Sequence, residues 1–180
     1  MKVMKLAPDS IKWCARHAAA SVKLWEQRRG GKQYNHNRVD SNIIGVRGEV
    51  AAYNYLKLAG PEGLQVEPNF MQLGNDNLKG DILVPPVQLE IKSIRPHQWE
   101  KLGRMITPKQ LDKYVRGNAV VIWAMASPSD DDDEVVLKGW NYAREVRDLG
   151  RYKRTICDNI WLEDEKHMHP MDDIFELFHQ

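Results

Sequence analysis

The sequence predicts an α/β domain in which a central mixed sheet is flanked by helices and preceded by an added N-terminal helix. Three observations carry this. Apolar residues recur at a period of about 3.6 as far as Gly60, the period then falls to about 2, and Ala119 to Ala126 is an almost fully apolar run of the kind a sheet places at its centre. The chain has 180 residues, 42% apolar and 28% charged, with 12 Gly and 9 Pro, which suits one core rather than several.

Asp9 and Ser10 can cap a helix whose apolar stripe runs through Ile11, Cys14, Ala15, Ala18, Val22 and Trp25 and ends near Gly30 and Gly31. The polar stretch from Gly30 to Arg38 reads as a mobile basic connector. It divides the chain into a basic helical N-terminal extension, residues 1–39, and a main domain, residues 40–180, with an acidic C-terminal tail. A second helix starts at Asp40 or Ser41 and runs through Ile44, Ala51, Ala52, Tyr55, Leu56 and Ala59 to the stop at Gly60 and Pro61.

Short apolar runs at Leu64 to Phe70, Asp81 to Val84 and Val87 to Ile94, separated by Gly74-Asn75 and Pro85-Pro86, predict three strands of a meander. Thr107 and Pro108 open a helix that reaches Arg116 and closes at Gly117, and the apolar strand follows. Asp130 to Asp133 lack the spaced ligands and turn glycine of a calcium loop and read as a solvated tip. Glu134 to Trp140 is a further strand, and Asn141 caps a short helix through Arg147. From Gly150 the tail reads as irregular and acidic, with Ile174 to Phe178 as an apolar docking segment.

The net charge of +1 conceals a polarity. Residues 1–60 carry 11 Lys/Arg against 4 Asp/Glu, whereas residues 127–180 carry 7 against 14. A basic N-terminal third is what a polyanion-binding surface needs, and an acidic tail could instead meet that third in this or another copy. No stretch approaches the roughly 18 apolar residues of a membrane helix and the first residues lack a secretory apolar run, so a cytoplasmic location without membrane contact is expected. Cys14 and Cys157 are too few for a disulfide framework, a four-cysteine zinc site or an all-cysteine iron-sulfur cluster. His167 and His169 with Cys157 lack a fourth ligand at zinc spacing, and no glycine loop is built to cradle a phosphate.

Chemistry is concentrated between Gly80 and Lys92. Side chains in a strand alternate faces, so Gln88, Glu90 and Lys92 share one face while Leu89 and Ile91 point to the core. Asp81 lies on the preceding strand across a short Pro85-Pro86 turn, which can bring its carboxylate to Glu90. Two carboxylates with the Ile91 carbonyl suit a hard cation such as Mg2+, which takes few protein oxygens and keeps its waters. The plain alternative for the Glu90/Lys92 pair is an exposed salt bridge.

These residues in their order along the chain resemble the PD-(D/E)xK nuclease superfamily, which has a restriction-endonuclease-like core of a helix, three strands, a helix and a strand. Asp81 and Glu90-Ile91-Lys92 match its motif, Glu49 matches a helix glutamate that reaches the metal site in many members, and Gln110 to Tyr114 looks like the Gln-x-x-x-Tyr element of the branch containing the RecB-type recombination nucleases. Gly80 stands where the motif's name has proline, and the cluster cysteines of some relatives are absent. The resemblance implies a metal-dependent DNA endonuclease in which Asp81, Glu90, Ile91 and Glu49 hold Mg2+ or Mn2+, Lys92 positions the attacking water and Gln110 lies near the scissile phosphate.

Each residue keeps a structural alternative. Glu49 could be paired with a base beside its apolar stripe, Gln110 could close a capping box with Thr107, and Tyr114 could be core packing rather than a nucleic-acid contact. Arg28, Arg29, Lys32 and Arg38 are the expected phosphate contacts of the basic arm. The other readings are a Holliday-junction resolvase, which would need a homodimer, and a nuclease-fold protein that binds nucleic acid or a partner without cleaving.

Overall fold

The structure is a computed structural model that describes residues 1–28, 38–74 and 79–178, with Arg38 described by its backbone alone. Strand β1 (Lys2–Lys5) leads into α1 (Pro8–Arg28) and α2 (Arg38–Ala59), then the hairpin of β2 (Ile82–Val84) and β3 (Val87–Ile94). A short helix α3 (Trp99–Leu102) and strand β4 (Met105–Ile106) precede α4 (Pro108–Arg116), followed by β5 (Val120–Ala126) and β6 (Glu134–Tyr142). Helix α5 (Ala143–Leu149), strands β7 (Arg151–Arg154) and β8 (Asp158–Trp161), and a 3-10 segment over Met171–Phe178 complete the described chain.

The main sheet has five strands in the order β1-β6-β5-β3-β2, with β3 and β5 parallel and every other pair antiparallel. The protein is therefore an α/β domain with a mixed sheet flanked by helices. β5 is apolar along its length because both its faces are buried. Val120, Ile122, Ala124 and Ala126 enter a core with α1 and α2, while Val121 and Trp123 enter a second core with α4 and α5. Burial of one such aliphatic side chain contributes about 1.5–3 kcal/mol, so these two cores, rather than ion pairs, hold the layers together.

Helix α2 is apolar on more than one side for a related reason, since it lies between α1 and the sheet. Ala51, Ala52 and Leu56 are fully buried there, and Ile11, Cys14 and Ala18 of α1 belong to the same core. Among the described residues no helix is long and apolar enough to cross a membrane.

Four expectations need correction. Leu64 to Phe70 is not a strand: Glu67 alone bridges Leu83, exchanging both backbone bonds with it, and the chain then turns into a 3-10 segment at Asn69–Met71 whose Phe70 N–H donates to the Asp81 carbonyl at 2.9 Å. Asn141 is not the cap of α5. It is fully buried, accepting a hydrogen bond from Trp123 Nε1 at 2.9 Å, and the cap position passes to Tyr142, whose N–H donates to Glu145 at 3.0 Å. The chain after Gly150 is not irregular, because β7 and β8 pair with each other and with β4 in a second sheet of order β4-β8-β7. Arg151 to Arg154 have no apolar face for a period-2 pattern to reveal. Finally, the acidic loop is not merely solvated. Arg47 of α2, 1% exposed, donates to the carbonyls of Ser127, Ser129 and Asp132 at 2.7–2.9 Å and meets the Asp130 carboxylate at 3.1 Å. The docking segment is as expected, with Met171 and Ile174 buried, and Lys2 meets Asp172 beside it at 2.6 Å.

Arg47→Ala leaves three carbonyls and a carboxylate without their donor, and the expected cost is about 3 kcal/mol or more in urea unfolding. Arg47→Lys should recover only part of it, because an ammonium cannot reproduce the guanidinium fork.

Candidate active site

The candidate site forms where β2 ends and β3 continues. Ile82 pairs with Leu89 and the Asp81 N–H donates to the Leu89 carbonyl at 2.8 Å, but past that point β3 has no strand on its outer side. The Asp81 side chain takes over, its Oδ2 accepting from the Ile91 N–H at 2.7 Å. A carboxylate thus replaces a ladder partner, which fixes Asp81 against the strand that carries Glu90 and Lys92. The pleat turns the Ile91 carbonyl toward the same open edge as its N–H.

Gly80 makes this turn possible. Its φ is +72°, and a Cβ there would lie 2.8 Å from the Leu89 carbonyl oxygen. Proline, locked near −65°, cannot take that conformation, so the departure from the motif's proline follows from the backbone path.

Parallel pairing with β5 sets Glu90 opposite Val121 and Lys92 opposite Trp123, on the face covered by α4. Tyr114 of α4 is 5% exposed and donates its hydroxyl to the Glu90 carboxylate, while the Lys92 ammonium lies 5.1 Å from its ring centroid. Glu49 comes from α2 on the opposite side of the sheet and reaches the same edge. That approach depends on Gly48, where a Cβ would meet Ser93 Oγ at 1.9 Å, so the helix rests directly on β3.

The charges are unbalanced: Glu49, Asp81 and Glu90 face Lys92, with Lys113 of α4 close enough to act on the latter two acids. Burial pushes the Glu90 carboxyl up to about 7, the Asp81 charge adding to burial and Lys92, Tyr114 and Lys113 opposing it. Burial, then the Asp81 charge, holds Glu49 well above the usual carboxylate range against the pull of Lys92. Burial raises Asp81 too, against Lys92, the Ile91 N–H and Lys113. A cluster of acids that all hold protons more tightly than usual is one that a cation would stabilise. Among the described residues no group of three His, Cys, Asp or Glu side chains forms a ready metal cage. A hard divalent ion would find here the oxygens of Asp81 and Glu90 and the Ile91 carbonyl, with water for the rest.

The structure thus brings Glu49, Asp81, Glu90, Ile91, Lys92 and Tyr114 together. Gln110 is exposed, its N–H donating to Thr107 Oγ1 at 3.4 Å and its side-chain carbonyl accepting from that hydroxyl at 3.3 Å, so its partners here are those of a helix start. Of the basic arm, Arg28 donates to the Gly74 carbonyl at 2.6 Å, while Arg29, Lys32 and the side chain of Arg38 lie outside the described residues. Sequence reasoning missed Gly48 and Lys113, whose roles depend on which strand the helices cover. Comparison of the chain with protein-family models, curated proteins and solved structures gives no match.

Tyr114→Phe removes a donor from the Glu90 carboxylate and so disfavours its charged form. The expected result is a Glu90 midpoint above about 7 in a carboxyl NMR titration of the metal-free protein, with a stability loss of about 1 kcal/mol.

Proposed function

We propose that the protein is a metal-dependent nuclease that hydrolyses DNA phosphodiester bonds on a restriction-endonuclease-like core. The observation that carries this reading is the convergence of Glu49, Asp81, Glu90 and Lys92 at one open strand edge, with the acids in excess. The element order supports it as well: helix α2, hairpin β2–β3, helix α4, then β5 parallel to β3. The third strand expected of such a core is reduced here to the Glu67 bridge.

Each residue has a task that follows from its setting. Asp81 and Glu90 would hold a divalent cation with the Ile91 carbonyl, Asp81 oriented by the Ile91 N–H and Glu90 by the Tyr114 hydroxyl. A bound Mg2+ or Mn2+ supplies charge stabilisation at the phosphoryl oxygens and lowers the pKa of a coordinated water. Lys92, held near the Tyr114 ring, orients the attacking water and neutralises charge that develops at phosphorus. Glu49 can hold a water on the α2 side and, in its ionised form, accept its proton.

Purified protein should cut DNA with Mg2+ or Mn2+ and not with EDTA when assayed against linear, circular, single-stranded and junction substrates, with RNA alongside. Lys92→Ala, Asp81→Asn and Glu90→Gln should each lower the cleavage rate by about 100-fold or more while the fold persists. Full activity in Lys92→Ala would overturn the assignment, as would unchanged metal affinity in both carboxamide variants.

The pH dependence has a definite sign. Glu90 ionises near 4.5 when free and near 7 in the fold, so the metal-free fold binds its proton more tightly, and this group's contribution to stability falls as pH rises from about 4.5 through about 7. Metal binding needs the ionised form. Apparent Mg2+ or Mn2+ affinity in calorimetry should therefore rise by up to about tenfold per pH unit below pH 7 and level off above it.

A further inference from the structure

The β7–β8 hairpin is the strongest positive feature of a chain segment whose overall charge is negative. Arg151, Lys153 and Arg154 make up three of the four residues of β7, which is the outer strand of the second sheet. Tyr152 is 62% exposed and Ile156 at the tip is fully exposed. The Lys153 ammonium lies over the Trp161 ring, 3.3 Å from its centroid, and donates to the Lys101 carbonyl at 2.8 Å, which pins the strand in place. Among the described residues Arg151 has only a surface pair with Glu163 at 2.7 Å, of the kind that exchanges readily with solvent or another anion. Among the described residues Arg154 has no carboxylate within ion-pair distance.

Lysine on an edge strand is a common guard against aggregation. That role does not account for the fully exposed Ile156 at the tip. The hairpin is also rooted next to the candidate site, since Ile160 of β8 packs in the cluster that contains Tyr114 and β4 leads directly into α4. We infer that the β7–β8 hairpin is a wing that enters a groove of duplex DNA tip first, with Ile156 in the groove and Arg151 and Arg154, which alternate onto opposite faces of the ribbon, on the phosphates of the two strands that border it. The inference rests on the nuclease reading for its choice of polyanion. An anionic membrane fits less well, because a single apolar side chain at the tip is far from the two signals that stable anchoring needs.

The test uses the full chain carrying Arg151→Gln and Arg154→Gln, both exposed positions, and measures binding to a short blunt duplex in EDTA over a range of salt. Circular dichroism checks the fold, and Mn2+-dependent hydrolysis of a small aryl phosphodiester checks the chemistry. Loss of two phosphate contacts should weaken duplex binding and flatten its log-log salt slope by about 1.8, at about 0.9 per contact, with small-diester turnover unchanged. Unchanged affinity and slope would overturn the wing. So would a wild-type protein that binds no duplex, or one whose arginine-dependent binding is to phosphatidylserine vesicles instead. If no variant hydrolyses the diester but the binding contrast stands, the wing is supported and the nuclease reading fails.

Discussion

Strand β5 has no polar face, and the rest of the architecture follows from covering both of its sides. One face is roofed by α2, with α1 above it, and the other by α4 and α5. A strand of this kind must lie inside a sheet, so β3 and β6 flank it. Because β3 runs parallel to β5, the chain between them must cross over the sheet, and that crossover carries α4. The helix needed to bury Val121 and Trp123 is therefore the one that sets Tyr114 beside Glu90 and Lys92.

Three consecutive residues of α2 divide the work of holding this arrangement, because successive side chains on a helix point about 100° apart. Arg47 gathers the carbonyls of the β5–β6 loop, Gly48 lets the helix backbone rest on β3 at Ser93, and Glu49 reaches the open edge beside Asp81. A buried guanidinium is tolerable only because its two terminal nitrogens meet fixed acceptors, which leaves Nε alone without a partner among the described residues. The carboxylates of the candidate site are the opposite case, since Glu90 is buried, Glu49 and Asp81 are half-buried, and the three outnumber the cations beside them.

The two sheets serve different ends. The main sheet is built from aliphatic alternation and carries the acids on its one incomplete edge. The small sheet β4-β8-β7 is cationic on its outer strand and is attached through Ile106 and Ile160 to the α4 layer. Net charge counted along the sequence hides this, since the acidic residues of the last third lie mostly in the β5–β6 loop and the C-terminal segment while three of its seven basic residues sit together on β7.

The sequence by itself determined the α/β class, the two long helices, the central β5, and the grouping of Asp81, Glu90 and Lys92. Those depend on local periodicity and on a tight hairpin, which residue spacing encodes directly. It did not reveal that Leu64 to Phe70 would contribute only a bridge, because β2 is three residues long and Glu67 meets it at Leu83 alone. Nor did it reveal β7, whose four residues have no apolar face and are a strand only because β8 supplies the partners. Tertiary structure alone decided that Asn141 would be a buried acceptor for Trp123 rather than a cap, that Arg47 would be enclosed by a loop 80 residues away, and that Gly80 must be free of a side chain. In each case the deciding contact comes from a residue distant in sequence, and no local pattern carries that information.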